Sequence, residues 1–424
     1  MVNNEIIVAL DIGSSWVRVV ICEWDENNIL QIIGVGARPS TGLRKGVVVN
    51  IEATLKAIIG AIEDAEMMSD IEVHECWTGI GGNHITSLNT RGVVAVSGIS
   101  GGKKRDSNEI SEEDIERVIE SAKAVAIPTD RQMIEVIPQN FKVDDHKGIR
   151  NPLGMIGVRL ECEVHIITCS VTGAKNIYKC VNRAGFKIEE IILQTLAAGR
   201  AVMTQEELDL GAVLIDLGGG TTDVLVYIDG TPYSTYSIPA GGAQVTSDIT
   251  FLKNVSIENA EKIKIEAGCC WDELLDKEDS IVVPGVGGRP PVSILRKDIL
   301  EIIRPRMEEL FRMVKHHIDS LNLPRVLGGG VVLTGGGAEL PGVVELANKV
   351  LKLPARLGSP IAVKNLGGLV DEYRTTSYAT VIGLALEGGR RAGIMNNSED
   401  EQSKRTGESL IKKIRRWIRE EFKT

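Results

Sequence analysis

The stretches IIVALDIGSSWVRVVI, Ile6 to Ile21, and GAVLIDLGGGTTDVLVYI, Gly211 to Ile228, are two versions of one device, with Asp11 and Asp216 set 205 residues apart. Each begins with a β-branched apolar run that ends on an aspartate. Glycine and small hydroxyl residues follow, and a second apolar run leaves the turn. Runs of this length broken by Gly and Ser predict strand–turn–strand hairpins. Their recurrence at half-chain spacing predicts an α/β protein of two similar halves, each opening on its own hairpin.

The turns have a chemical reading. Backbone N–H groups can close on a phosphate only where side chains are absent or small. Gly13, Ser14 and Ser15 satisfy this condition in the first turn, and Gly218, Gly219, Gly220, Thr221 and Thr222 in the second. Asp11 and Asp216, each at a strand end, are placed to reach a hydrated Mg²⁺, an ion that keeps much of its own water. A third motif, LTGGGAELP from Leu333 to Pro341, takes an apolar strand into Gly335, Gly336 and Gly337, and a helix is expected after it. Such a turn can lie flat against a nucleobase or ribose. The chain has neither a G-x-G-x-x-G fingerprint nor a Walker lysine motif, which excludes those two nucleotide sites.

Composition narrows the class. The 424 residues include 45 glycines, well above the usual ~7%. They carry 48 Lys and Arg against 58 Asp and Glu, a net charge of −10, and this acidity argues against a nucleic-acid partner. The seven cysteines contain no C-x-x-C pair, so neither a zinc spacing nor a disulfide framework is expected. The polar start resembles no signal peptide, and no run approaches the ~20 apolar residues of a membrane span. A reduced, cytoplasmic protein is the expectation.

Between the hairpins, Glu109 to Val125 predicts a helix with acidic residues in its first turn, and Met133 to Val143 and Val158 to Ser170 predict strands. Residues 84–164 therefore form an α+β unit inside the first half. Further helices are expected over Ile257 to Gly268 and Lys297 to Ser320, the latter despite Pro305, and a buried strand over Val326 to Val332. Lys103, Lys104 and Arg105 read as a solvated loop, Trp77 as core, and His316 and His317 as satisfied surface histidines.

The C-terminus departs from the average. Residues 396–408 are polar and read as a flexible linker. In SLIKKIRRWIREEFKT, Leu410, Ile411, Ile414, Trp417, Ile418 and Phe422 trace one helical stripe. The opposite face carries six basic and two acidic side chains, a net +4 that leaves −14 on residues 1–408. A basic amphipathic helix with an interfacial Trp fits a helix lying in an anionic membrane surface.

With these motifs the chain resembles the actin-like ATPase superfamily, which includes actin, Hsp70 and the sugar kinases. The resemblance implies an actin-like fold with two RNase H-like halves around a cleft that holds ATP and Mg²⁺. It assigns phosphate roles to the two hairpin turns and an adenosine role to Leu333 to Pro341. Glu261 and Lys264 then match a helix that touches ribose and adenine. Gln194 matches a residue that positions the attacking water, although one glutamine and water-bridged aspartates do not guarantee turnover.

Within the superfamily, IPQNF at Ile137 to Phe141, NPLGM at Asn151 to Met155, GVRLE at Gly157 to Glu161 and EVHIIT at Glu163 to Thr168 resemble the FtsA family of cell-division proteins. This resemblance implies subdomains at 1–83 with 165–193, 84–164 (the family's insertion), 194–240 with 304–390, and 241–303. A linker at 391–408 and a membrane-targeting helix at 409–424 complete the chain. It further implies attachment to the cytoplasmic face of the cell membrane at the division site, tethering of FtsZ filaments, self-association into filaments and recruitment of later division proteins. Arg304 and Arg306 are the expected partners of the acidic C-terminal peptide of FtsZ. The alternatives are the actin-like protein of type IV pilus assembly and a small-molecule kinase of the same fold. For a kinase, no catalytic base is found in the inserted unit.

Overall fold

A computed structural model of the chain describes residues 5–393 apart from 26–28, 98, 101–102, 105–107, 277–278, 284–289, 361–365 and 370–371. The linker and amphipathic helix expected after residue 393 lie outside the described residues.

Both quoted stretches are hairpins. Glu5–Ile12 pairs antiparallel with Trp16–Trp24, placing Asp11 opposite Arg18. Ala212–Leu217 pairs in the same way with Thr222–Ile228, placing Asp216 opposite Asp223. Each hairpin gains a third antiparallel strand, Leu30–Pro39 in the first half and Thr231–Ile238 in the second. Each is then extended by parallel strands on the side of its first strand. These are Glu75–Ile80 and Lys187–Leu193 in one sheet, and Gly330–Thr334 and Ala355–Leu357 in the other. Leu366–Gly368 adds a sixth strand to the first sheet. The half-chain repeat in sequence is thus a repeat of sheet topology.

Between the sheets lies a layer of two helices, Gln194–Val202 and the closing helix Ala379–Ala392. Ala197, Ala198, Ala201, Ile382, Leu384 and Ala385 bury there against Ala9 and Val20 of one sheet and Leu214 and Leu225 of the other. Small residues set the spacing. A Cβ on Gly383 would lie 1.8 Å from the Ala197 carbonyl oxygen, and Gly388 and Gly389 press on Trp77 and Trp24. Trp77 is core, as its sequence context indicated.

The insertion is a four-stranded antiparallel sheet in the order His146–Ile149, Arg131–Val143, Arg159–Ser170 and Thr86–Ala95. The helix Glu112–Lys123 covers one face. Ser111 caps this helix in a capping box with Asp114, which delays its start past Glu109. Ile115, Val118, Ile119 and Ala122 bury against Leu160, Val164 and Ile166. In the second half, the 25-residue helix Arg296–Ser320 runs through Pro305. The burial of Ile303, Met307, Leu310, Phe311 and Val314 on one stripe outweighs the ~3 kcal/mol that an interior proline costs.

Two expectations are corrected. The buried strand begins at Gly330 and not at Val326, because Gly330 takes a left-handed φ of 70° and breaks the run; Val326 is exposed. Lys103–Lys104 is not loop but one strand of a two-residue pair with Ile99–Ser100. His317 is satisfied by the Ser234 hydroxyl at 3.0 Å and stacks on Tyr236.

The closing helix ends in a buried ion cluster. Arg391 pairs with Glu387 of its own helix at 2.8 Å, with Glu190 of the first sheet and with Glu135 of the insertion. The Arg391 and Glu135 side chains are 3% and 4% exposed. Removing one member of such a group strands the others without compensation, so Arg391→Met is expected to cost about 3–5 kcal/mol in urea unfolding at neutral pH. A loss under 1 kcal/mol would show that water reaches the cluster.

Candidate functional site

The two hairpin turns face each other across a cleft of about 420 Å³. They meet so closely that a Cβ on Gly219 would lie 1.9 Å from the Ser15 hydroxyl, and one on Gly220 2.5 Å from the Ser14 hydroxyl. The Ser14 hydroxyl also accepts the Gly46 amide at 3.0 Å. Thr221 donates to Asp223 at 2.7 Å, and Thr222 donates to the Ala240 carbonyl at 2.9 Å. Gly241 and Gly242 form the adjoining wall, with the Gly242 and Ala243 amides bonded to the Gly218 and Gly219 carbonyls.

Gly335, Gly336 and Gly337 close the opposite side. Gly335 has φ 82°, and a Cβ there would lie 2.2 Å from an Asp216 oxygen, so only glycine is accommodated. The triple glycine opens a short 3-10 turn, Gly336–Glu339, and the expected helix begins only at Val343, after Pro341. Glu261 and Lys264 reach the cleft from the helix Ile257–Ala267. Lys264 Nζ bonds Glu261 at 2.7 Å, the Thr246 hydroxyl at 3.0 Å and the Gly242 carbonyl at 3.3 Å, which fixes both side chains beside the second turn.

At the cleft floor, Gln194, the first residue of its helix, donates from Nε2 to Asp11 at 2.6 Å. Its side chain lies over Gly79 and Gly81, where a Cβ would collide with it. Asp216 accepts from the Thr380 hydroxyl at 3.2 Å. Burial raises the Asp11 carboxyl, partly offset by Arg18 and by the Gln194 hydrogen bond. Asp216 is pushed up to about 7, first by burial and then by the negative charges of Asp223 and Asp11. Burial raises Asp223 as well. Three carboxylates therefore share one cleft with Arg18, whose guanidinium lies over the Tyr378 ring at 5.1 Å. Added positive charge would relieve their repulsion.

The cleft thus gathers every phosphate, adenosine and magnesium residue expected from sequence. Arg304 and Arg306 are elsewhere, on the long helix. Arg304 pairs with Glu308 at 3.1 Å and with Asp272, and Arg306 takes both Asp248 oxygens at 2.7 and 3.0 Å. The six apolar residues of the amphipathic stripe lie outside the described residues. Sequence reading missed Arg18 and the Gly241–Gly242 wall; it bounded the second phosphate stretch at Asp223 and matched Ser377 to Leu386 to a connecting helix, without singling out Asp223 or Thr380. Arg18 and Asp223 were findable, since counting outward from each turn pairs them with Asp11 and Asp216. Thr380 comes from a helix 164 positions away from Asp216, and only the resemblance of Ser377 to Leu386 to a connecting helix marks its segment.

Two repeated sheets that face their hairpin turns across one cleft define an actin-like protein. The same fold occurs in the PilM–PilN type IV pilus biogenesis complex (TM-score 0.62, 17% identity, 90% of this chain and 98% of that one). It occurs also in MreB5 of Spiroplasma citri bound to ADP (TM-score 0.54, 15% identity, 93% and 99% covered). At such identities the likeness speaks for the fold alone. Family models described as "Cell division protein FtsA" and "SHS2 domain inserted in FTSA" match residues 213–383 and 82–168. A cell division protein FtsA of Pseudomonas aeruginosa is 40% identical over 424 residues, 99% of either chain. The chain belongs to the FtsA family of cell division proteins.

The carboxylates give a pH signature in the ligand-free protein. Asp216 at about 7 keeps, when folded, a proton that the unfolded chain releases near 3.8. Its contribution to stability is therefore fully present below that ordinary value and is lost as pH rises through about 7. Asp216→Asn should flatten this part of the decline in urea midpoint between pH 4 and 7. Identical profiles for variant and parent would exclude a raised Asp216.

Proposed function

We propose that the chain is an ATP-binding cell-division scaffold that holds FtsZ filaments at the cytoplasmic face of the cell membrane. The observation that supports nucleotide binding most is the pair of facing turns over Asp11 and Asp216, built of glycine and small hydroxyl residues. Gly13, Ser14 and Ser15 receive the phosphates on one side, and Gly218 to Thr222 on the other. Asp11 and Asp216 hold magnesium through water, which fits a floor with surplus negative charge. Gly335 to Gly337, Glu261 and Lys264 take the nucleoside. Gln194, oriented by Asp11, positions water. MreB5 of the same fold is described with ADP, which supports the same reading.

Residues 409–424 are the membrane helix, on the strength of the stripe from Leu410 to Phe422 and its net +4. No described helix is long and apolar enough to cross a membrane, so attachment at the surface falls to this segment. The chain self-associates into filaments, with ATP biasing assembly, and recruits later division proteins. The FtsZ C-terminal peptide is met near Arg304 and Arg306. Both arginines already hold carboxylates, so an acidic peptide there exchanges one set of ion pairs for another.

The chain should pellet with anionic liposomes and carry FtsZ with it. Deleting residues 409–424, or Trp417→Glu, should release both proteins, and equal pelleting of the truncated chain would refute the membrane helix. For the cleft, Gly220→Val should weaken binding of a fluorescent ATP analogue at least about tenfold, since its Cβ falls within 2.5 Å of the Ser14 hydroxyl. Unchanged binding would place the nucleotide elsewhere.

A further inference from the structure

The insertion belongs to the first half by sequence, yet it grips the second half, chiefly along one strand; an exposed Arg150 adds a pair with Asp209 and a bond to the Asp229 carbonyl. Thr231–Ile238 is the edge of the second sheet, and its outer backbone groups have no neighbouring strand among the described residues. Side chains of the insertion supply the partners. Ser87 donates to the Thr235 carbonyl at 3.0 Å and accepts the Thr235 amide at 3.1 Å. Asn89 donates to the Tyr233 carbonyl at 3.0 Å, and Gln139 to the Pro232 carbonyl at 2.7 Å. His165, 1% exposed, bridges Asn89 at 2.6 Å and the Thr235 hydroxyl at 3.0 Å. Tyr233 and Thr235 are two residues apart, which is the spacing at which an antiparallel edge turns the same groups outward.

The same strand runs straight into the cleft. Ile238 pairs with Thr222, and the chain continues to Gly241 and Gly242, whose wall is bonded to Gly218. On its other side the insertion is fixed by Glu135 to Arg391 and, through Arg391, to Glu190. It therefore spans both halves. Relative motion of the halves must break one fastening, and neutral hydrogen bonds yield before buried charges.

We propose that this seam couples the cleft to the insertion: a ligand that draws the second hairpin and the Gly241–Gly242 wall together also tightens the insertion on the edge strand. By linkage, whatever engages the insertion and strains the seam weakens ligand in the cleft by the same factor. The inference rests on the nucleotide reading above, with ATP as the ligand.

The test uses the full chain and ATP with magnesium, with binding measured by calorimetry and amide exchange followed at Thr235 and over 86–95. Ser87→Ala with Asn89→Ala removes four of the seam's bonds, three of them to the edge backbone and one to His165, and touches nothing in the cleft. ATP should slow exchange at Thr235 in the parent, and the double variant should lose this slowing and bind ATP about fivefold more weakly. Ser87→Thr, which keeps the hydroxyl, should retain most of the slowing. Parental binding with no change at Thr235 would overturn the inference, as would equal affinity and equal slowing in the double variant. No ATP binding by the parent would instead overturn the nucleotide reading, and the inference with it.

Discussion

Contact between the two turns governs the architecture. Ser14 and Ser15 reach Gly220 and Gly219 so closely that no side chain fits between them. Glycine there permits this closeness, because a Cβ on either residue would force the Ser15 or Ser14 side chain to shift. The two sheets, the helical layer between them and the insertion all keep this meeting in place. The layer is thin because its helices are built from alanine and glycine, and the Gly383-to-Ala197 approach sets the limit.

That closeness has an electrostatic cost, which the cleft expresses openly. Bringing the strand ends together also brings Asp11, Asp216 and Asp223 together, with Arg18 as the countercharge and Gln194 and Thr380 as hydrogen-bond donors. The ligand-free site is therefore poised toward cations. A polyphosphate with its metal would suit the turns by shape and the aspartates by charge.

The repeat was legible because a hairpin announces itself within twenty residues, through apolar runs, a terminal aspartate and glycine. The triple glycine from Gly335 was legible for the same reason. What stayed hidden depends on distance in sequence. Thr380 reaches Asp216 only through packing of the closing helix, and Gly79 and Gly81 make sense only once Gln194 lies over them. The start of the strand at Gly330 was misread because Val326 and Leu327 were joined to Val331 and Val332 across Gly328, Gly329 and Gly330, the last of which takes a left-handed backbone. The seam of Ser87, Asn89, Gln139 and His165 is invisible for a further reason. These are ordinary polar residues of insertion strands, and only the fold shows whose backbone they complete.

The closing helix carries a consequence for the order in which the chain matures. Three of its fourteen residues, Gly383, Gly388 and Gly389, are glycines, each about 1 kcal/mol less favourable than alanine in a helix. In isolation such a segment does not hold a helix. It becomes one by docking on Ala197, Trp77 and Trp24 and by closing the Arg391 cluster. The last stretch before residue 393 thus assembles on partners synthesised from 186 residues earlier, for Ala197 under Gly383, to 365 residues earlier, for Trp24 under Gly389. The end of the described chain is therefore a platform that exists only after the body has folded, and a nascent or damaged molecule lacks it.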